Sequence, residues 1–239
     1  MIHTITLSLN HLITPLIPMQ LITFYSEQEF IANSVSYIKK ICASMAQVSM
    51  ALSGGTTPKP IYEMLAQQTD IDWSHINFFQ VDERNVLKDH PDSNYRLIQE
   101  SLISRVPRVN GWHFFDTSLP IEETLKKYEA EVHEHQPFNL CILGLGPDGH
   151  TASLFPHSGA LHETKRLVAH TTTDQFPIQD RLTLTFPAIM PSKKLLLLVK
   201  GENKKQILDD LLESNKSIDQ LPAKKLLEHP DLTIHYCTI

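Results

Sequence analysis

The stretch FNLCILGLGPDGHTASLFP, residues 138–156, sets the frame for the whole chain. Its first part, 138–143, is a short run, apolar but for Asn139, bounded by Pro137 and Gly144, the pattern of a parallel strand covered on both faces. The run stops at Gly144, Gly146 and Gly149, and His150 follows directly. A strand of this kind puts His150 at its C-terminal end. In an open α/β sheet that edge is where loops and helix N-termini form a ligand crevice. The expected fold is therefore α/β: an open, mostly parallel, doubly wound (Rossmann-like) sheet flanked by helices.

The three glycines spell G-x-G-x-x-G, the dinucleotide fingerprint, which requires a long following helix and an acid about 20 residues on for the ribose hydroxyls. Here Pro156 stops any helix within two turns, and the corresponding region reads Val168-Ala169-His170, without an acid. A nicotinamide site is excluded and no cofactor is expected. The plainer reading of His150, a helix-start residue in a solvated turn, is outweighed by the strand end and the three glycines.

Around this turn lies a chain of 239 residues, 41% hydrophobic and 20% charged, with a formal net charge of −6. These values fit one globular domain with a sizeable core. The acidic balance excludes a nucleic-acid groove, which needs a clustered basic surface, so an anionic ligand must be held by a local site. Cys42, Cys141 and Cys237 are odd in number and lack C-x-x-C spacing, which argues against disulfide or zinc frameworks and for a reducing cytoplasm, with no metal expected. Residues 1–26 carry no Lys, Arg, Asp or Glu. They also lack a basic n-region, and Asn10, Pro15 and Pro18 interrupt them before the roughly 20 apolar residues of a membrane span. Neither a signal peptide nor membrane association is expected. Residues 1–20 read as an N-terminal tail, either disordered or a start-site extension, ahead of a single domain over 21–239.

Along that domain the strand ends carry the polar residues. A helix begins with Ser26 and Glu29 as a capping box. A strand over 48–52 runs into Ser53-Gly54-Gly55-Thr56-Thr57-Pro58 and a helix over 59–68; two glycines and three hydroxyls at a helix start make an anion cradle, without Walker spacing. A strand over 75–81 ends in Asp82-Glu83-Arg84, whose side chains point alternately, and Asp92-Ser93-Asn94 starts a helix running to 104. A strand over 112–115 and a helix over 121–135 follow. Strands over 167–170, 181–186 and 194–200 come next, the last meeting Gly201-Glu202-Asn203-Lys204 and a helix to 213. Lys204 opposes the macrodipole in a first helical turn, which suits a residue serving an anion. A helix over 221–227 and a strand over 232–236 close the chain. Each loop alone has a bland reading, as a connecting turn, a solvated charge run or a surface lysine; their recurrence at strand ends weighs against coincidence.

Taken together, LSGGTTP at 52–58, VDER and DSN at 81–84 and 92–94, GLGPDGHTASLFP at 144–156, RLTLTFPAI at 181–189 and GENK at 201–204 resemble the 6-phosphogluconolactonase family. This family sits in a fold group with glucosamine-6-phosphate deaminase and ribose-5-phosphate isomerase. The resemblance runs from about residue 21 onward. It implies hydrolysis of 6-phosphoglucono-1,5-lactone to 6-phosphogluconate in the oxidative pentose phosphate route, by a monomer or small homo-oligomer whose partner is the sugar phosphate lactone. It assigns His150 as general base and Arg84 to the active site near the reacting groups. Ser53, Gly54, Gly55, Thr56 and Thr57, with Arg181 and Lys204, are assigned to the phosphate. Asp82 or Glu83 is expected to orient His150. The chemistry agrees, because imidazole takes up a proton near neutral pH and Arg and Lys supply fixed positive charge. Two rivals are weaker. The deaminase places a glutamate where Phe155 stands here, and a non-catalytic sugar-phosphate sensor of a transcriptional regulator needs a DNA-reading segment for which residues 1–20 are too short and uncharged. Two positions depart from the family pattern: Thr56 stands in place of serine, and Asp180 precedes Arg181 where proline is expected, with a carboxylate positioned to compete for the guanidinium.

Overall fold

The computed structural model describes residues 3–6, 19–43 and 45–239. In chain order the elements are β1 (His3–Thr6), β2 (Gln20–Phe24), α1 (Glu27–Ala43), β3 (Val48–Leu52), α2 (Lys59–Leu65), β4 (Ile76–Gln80), β5 (Asp82–Arg84), α3 (Asn94–Ser101), β6 (Gly111–His113), α4 (Ile121–His135), β7 (Leu140–Gly144), β8 (Val168–Thr172), β9 (Asp180–Leu184), α5 (Phe186–Ile189), β10 (Leu195–Lys200), α6 (Lys205–Glu213) and β11 (Leu232–Cys237). A large sheet takes the order β1-β2-β11-β10-β7-β3-β4-β6. Every pairing in it is parallel except β1 with β2.

The continuous apolar runs are explained by burial on both faces. In β7, Leu140 and Ile142 belong to one core while Cys141 and Leu143 belong to the other. In β10, Leu196 and Leu198 face the first core and Leu195, Leu197 and Val199 the second. Helices α1, α2 and α3 cover the first face through Phe30, Ile38, Ile61, Tyr62 and Ile98. Helices α4 and α6 cover the second through Leu125, Tyr128, Val132, Leu208 and Leu211. With both faces apolar, successive side chains along a strand can all be hydrophobic. Large-to-small changes in such positions cost about 2–5 kcal/mol.

The structure differs from the sequence reading in several places; the strand expected over 181–186 ends at Leu184, and Phe186 starts α5. Residues 82–84 are not a loop: they form the edge of a second, antiparallel sheet ordered β5-β9-β8. Three residues without apolar alternation give no strand signal, and tertiary pairing alone makes them one. The helices expected to reach 68 and 104 end at Leu65 and Ser101 and tighten into short turns, and 221–227 is a 3-10 segment, Pro222–Glu228. Within the stretch read as a tail, His3–Thr6 pairs with β2 in the register Thr4↔Ile22; residues 1–2 and 7–18 lie outside the described residues. Among the described residues no helix is long and apolar enough to cross a membrane.

Candidate active site

The turn after β7 is shaped by what its glycines omit. Gly149 is held at φ +86°, and Ala223 N–H donates to its carbonyl at 3.0 Å. A side chain at Gly146 would sit 2.2 Å from His150 Nδ1, so its absence lets the imidazole fold against the turn. No helix follows: Thr151 and Leu154 form an isolated bridge, and Ala152 is held at φ 52°, in the left-handed region that an alanine rarely occupies. Such strain clusters at functional sites.

A cavity of about 370 Å³ opens at the C-terminal ends of β3, β7 and β10, roofed by β5 and β9. It is lined by Ser53, Gly54, Gly55, Thr56, Thr57, Asp82, Arg84, Gly144, Gly146, His150, Arg181 and Lys204, so of the residues singled out in the sequence only Glu83 and Gly149 do not reach it. Gly149 shapes the turn from behind, where a side chain would strike Leu221 at 2.8 Å.

His150 Nδ1 is 2.5 Å from Asp148 Oδ1, whose carboxylate also accepts the His150 backbone N–H at 3.2 Å. Burial alone would raise the Asp148 pKa, but the hydrogen bond from His150 and its charge outweigh burial and hold it below the usual carboxylate value. A carboxylate on Nδ1 assigns the proton there in the neutral ring and leaves Nε2 as the basic nitrogen. This corrects the expectation that Asp82 or Glu83 orients His150. Asp82 accepts from Ser153 Oγ at 2.7 Å and Asn94 Nδ2 at 3.3 Å. Glu83 is 1% exposed and accepts the Asn94 and Tyr95 backbone N–H groups at 2.8 and 2.7 Å. Burial pushes its pKa up, against these donors and Gln80. Glu83 therefore anchors the start of α3 and the connection leading from Arg84.

Positive charge converges on the cavity from separate elements. Arg84 and Arg181 are direct cross-strand partners in β5 and β9. Like charges placed opposite each other repel, and burial together with the Arg84 charge lowers the Arg181 pKa. Arg84 Nη1 is tied to the Asp92 carbonyl, whereas Arg181 is buried and its Nε has no hydrogen-bond partner among the described residues. Ser53 Oγ, also buried, is likewise unpartnered there. Buried polar atoms left unpaired are costly unless a ligand satisfies them. Lys204 Nζ donates to the Leu145 carbonyl at 2.9 Å, and burial lowers its pKa. Asp180 does not compete for Arg181, because its Oδ1 pairs with His170 Nε2 at 2.8 Å. Adjacent residues of a strand point to opposite faces, so the departure at Asp180 leaves the guanidinium free.

Several lining residues were given no role in the sequence reading, among them four with polar or aromatic side chains. Asn94 and Ser153 hold Asp82, Lys200 is paired with Glu27 at 2.5 Å, and Phe176 meets the His150 ring at 5.7 Å. Asp148, two residues before His150, was legible only as part of the turn. Among the described residues, no group of three or more His, Cys, Asp or Glu is placed to hold a metal ion.

The structure thus gathers an aspartate-held histidine and several cations around one strand-end cavity of an open α/β sheet. The family model described as glucosamine-6-phosphate isomerases/6-phosphogluconolactonase matches residues 26–234, and the chain belongs to that family. A probable 6-phosphogluconolactonase of Dictyostelium discoideum is 35% identical over 223 residues, covering 88% of this chain and 94% of the relative. The 6-phosphogluconolactonase of Thermotoga maritima is 39% identical over 188 residues, 77% of this chain and 84% of the relative. A crystal structure of 6-phosphogluconolactonase from Thermotoga maritima superposes with a TM-score of 0.80 at 34% identity, covering 92% of this chain and 99% of that one. A monomeric glucosamine-6-phosphate deaminase superposes equally well, with a TM-score of 0.81 at 20% identity. The fold is thus shared by both branches, and the site must separate them.

Proposed function

We propose that this chain hydrolyses 6-phospho-D-glucono-1,5-lactone to 6-phospho-D-gluconate. The observation that carries the reading is that His150, held through Nδ1 by Asp148, lines the same cavity as Arg84, Arg181 and Lys204. The names of the relatives support it, and so does Phe155, which packs 4.7 Å from the His150 ring where the deaminase pattern has a glutamate. A phenyl group there supplies no acid or base for ring-opening amino-sugar chemistry.

In this reading His150 Nε2 takes a proton from water as the water oxygen attacks lactone C1. Asp148 holds the ring and stabilises the imidazolium that forms. Collapse of the tetrahedral species breaks the C1–O5 bond, and His150 returns the proton to O5. The Ser53–Thr57 hydroxyls and amides, Arg181 and Lys204 hold the phosphate, and Arg84 lies near the reacting carbonyl. A lactone is already activated, so a base contributing about 10²–10⁴-fold is a useful catalyst. The free, buried thiols of Cys42, Cys141 and Cys237 support a reducing, cytoplasmic setting.

The test is the hydrolysis rate of freshly generated 6-phosphogluconolactone against its spontaneous background. Acceleration that saturates with substrate is expected. No acceleration, together with tight binding of sugar phosphates, would replace the hydrolase reading with the sensor.

A further inference from the structure

The connection between β8 and β9 is a polar hairpin tip closed by its own bonds: Thr173 N–H donates to the Gln179 carbonyl at 3.1 Å and Gln175 N–H to Thr173 Oγ1 at 3.2 Å. Asp174, Gln175, Pro177 and Gln179 are exposed, while Phe176 turns into the cavity. Its ring stands 5.7 Å from the His150 ring at 84°, and 5.9 Å from Phe155 at 43°. The Arg181 guanidinium carbon is 5.8 Å from its centroid. One aromatic from an otherwise solvated loop therefore meets the base, the apolar floor beside it and a cation. The hairpin's own bonding does not call for that ring, and loops on a rigid scaffold are where specificity is carried.

We propose that Phe176 is a specificity-determining residue: with Phe155 it forms an apolar wall beside His150 that receives the C–H face of the closed lactone ring and not the open-chain acid. The inference rests on the hydrolase reading above. A six-membered lactone is flattened at C1 and presents a fixed apolar face, which packs on phenyl rings without loss of internal freedom. Hydrolysis breaks C1–O5 and leaves a flexible chain with a second anion. Laying that chain on the wall costs rotational freedom and sets its charged carboxylate beside two phenyl faces. The contact is made by substrate and lost by product, so it favours turnover over product retention.

The experiment compares wild type, Phe176→Ala and Phe176→Leu in steady-state hydrolysis of the fresh lactone, with 6-phosphogluconate and inorganic phosphate as competitive inhibitors. Removing the ring is expected to raise KM for the lactone about tenfold, the scale of one lost apolar contact in a pocket, while both inhibition constants move less than about twofold. Phe176→Leu keeps apolar volume in the loop without the flat face and is expected to shift KM in the same direction by less. Equal weakening of lactone and acid, or an unchanged KM, would overturn the proposal while the hydrolase reading stands. An inactive wild type would overturn the hydrolase reading and this proposal with it.

Discussion

On one side of the cavity, the turn after β7 carries its chemistry within residues 144–150; on the other, Arg84 and Arg181 meet only because β5 pairs with β9. The turn is local. Its glycines, Asp148 and His150 are positioned by bonds among themselves, such as Gly146 N–H to the His150 carbonyl at 2.8 Å. The arginine side is assembled across the chain and stores repulsion between two cations. The difference separates two tasks. A base must be held in one orientation with one nitrogen free, which a tight turn does well. In the proposed reading a phosphate needs charge from several directions, and Arg181 of the separate small sheet is one of its sources.

If the division is real, the largest effect belongs to the turn. His150→Ala is expected to lower kcat by about 10²–10⁴-fold with affinity for 6-phosphogluconate nearly unchanged, measured by turnover and by calorimetric titration. Unchanged turnover would remove His150 from the chemistry. Asp148→Asn is the sharper probe, because the amide keeps the shape and loses the charge that fixes the tautomer. A fall in kcat of up to about 10⁴-fold, the scale for an aspartate-to-asparagine change behind a general-base histidine, is expected without a matching rise in KM. On the arginine side the pattern should invert. Arg181→Ala removes a charge-assisted contact of about 1.5–3 kcal/mol, so KM should rise by about one to two powers of ten with a much smaller change in kcat. If the variant instead lost kcat and kept KM, the Arg181 guanidinium would be acting with Arg84 on the reacting carbonyl rather than on the phosphate.

The same contrast marks how far the sequence could be read. The strand expected over 138–143 was legible because burial on both faces leaves a mostly apolar run; the observed β7 begins at Leu140 and places Leu140 and Ile142 in one core, Cys141 and Leu143 in the other. The candidate anion residues were legible as loaded strand ends. Their partners were not. Which residue faces Arg181 depends on the register of a three-residue strand, and the side to which Asp180 points depends on that strand's pleat. The carboxylate nearest His150 in sequence proved to be the one on its ring, but the turn geometry decides that, not the spacing. Phe176 had no signal at all: one phenylalanine in a polar loop reads the same whether it points in or out.

Lys204 tests the contrast most finely because it belongs to both sides, lining the cavity while its ammonium holds the Leu145 carbonyl of the turn. Burial lowers its pKa from the ordinary 10.5, so it loses its charge at a lower pH than a free lysine. The charged form, and the attraction it adds for phosphate, is present at neutral pH and is lost as pH rises. A phosphomonoester is already doubly ionised above about pH 6, so the ligand adds no change of its own in the alkaline range. Affinity for 6-phosphogluconate should therefore fall as pH rises toward 10.5, by about two- to threefold for one partly solvated cation. Lys204→Arg, whose guanidinium keeps its proton throughout, should hold its affinity level over the same range. If both proteins weakened in parallel, Lys204 would serve the turn through Leu145 rather than the anion, and the phosphate would be held by Arg181 and the Ser53–Thr57 loop.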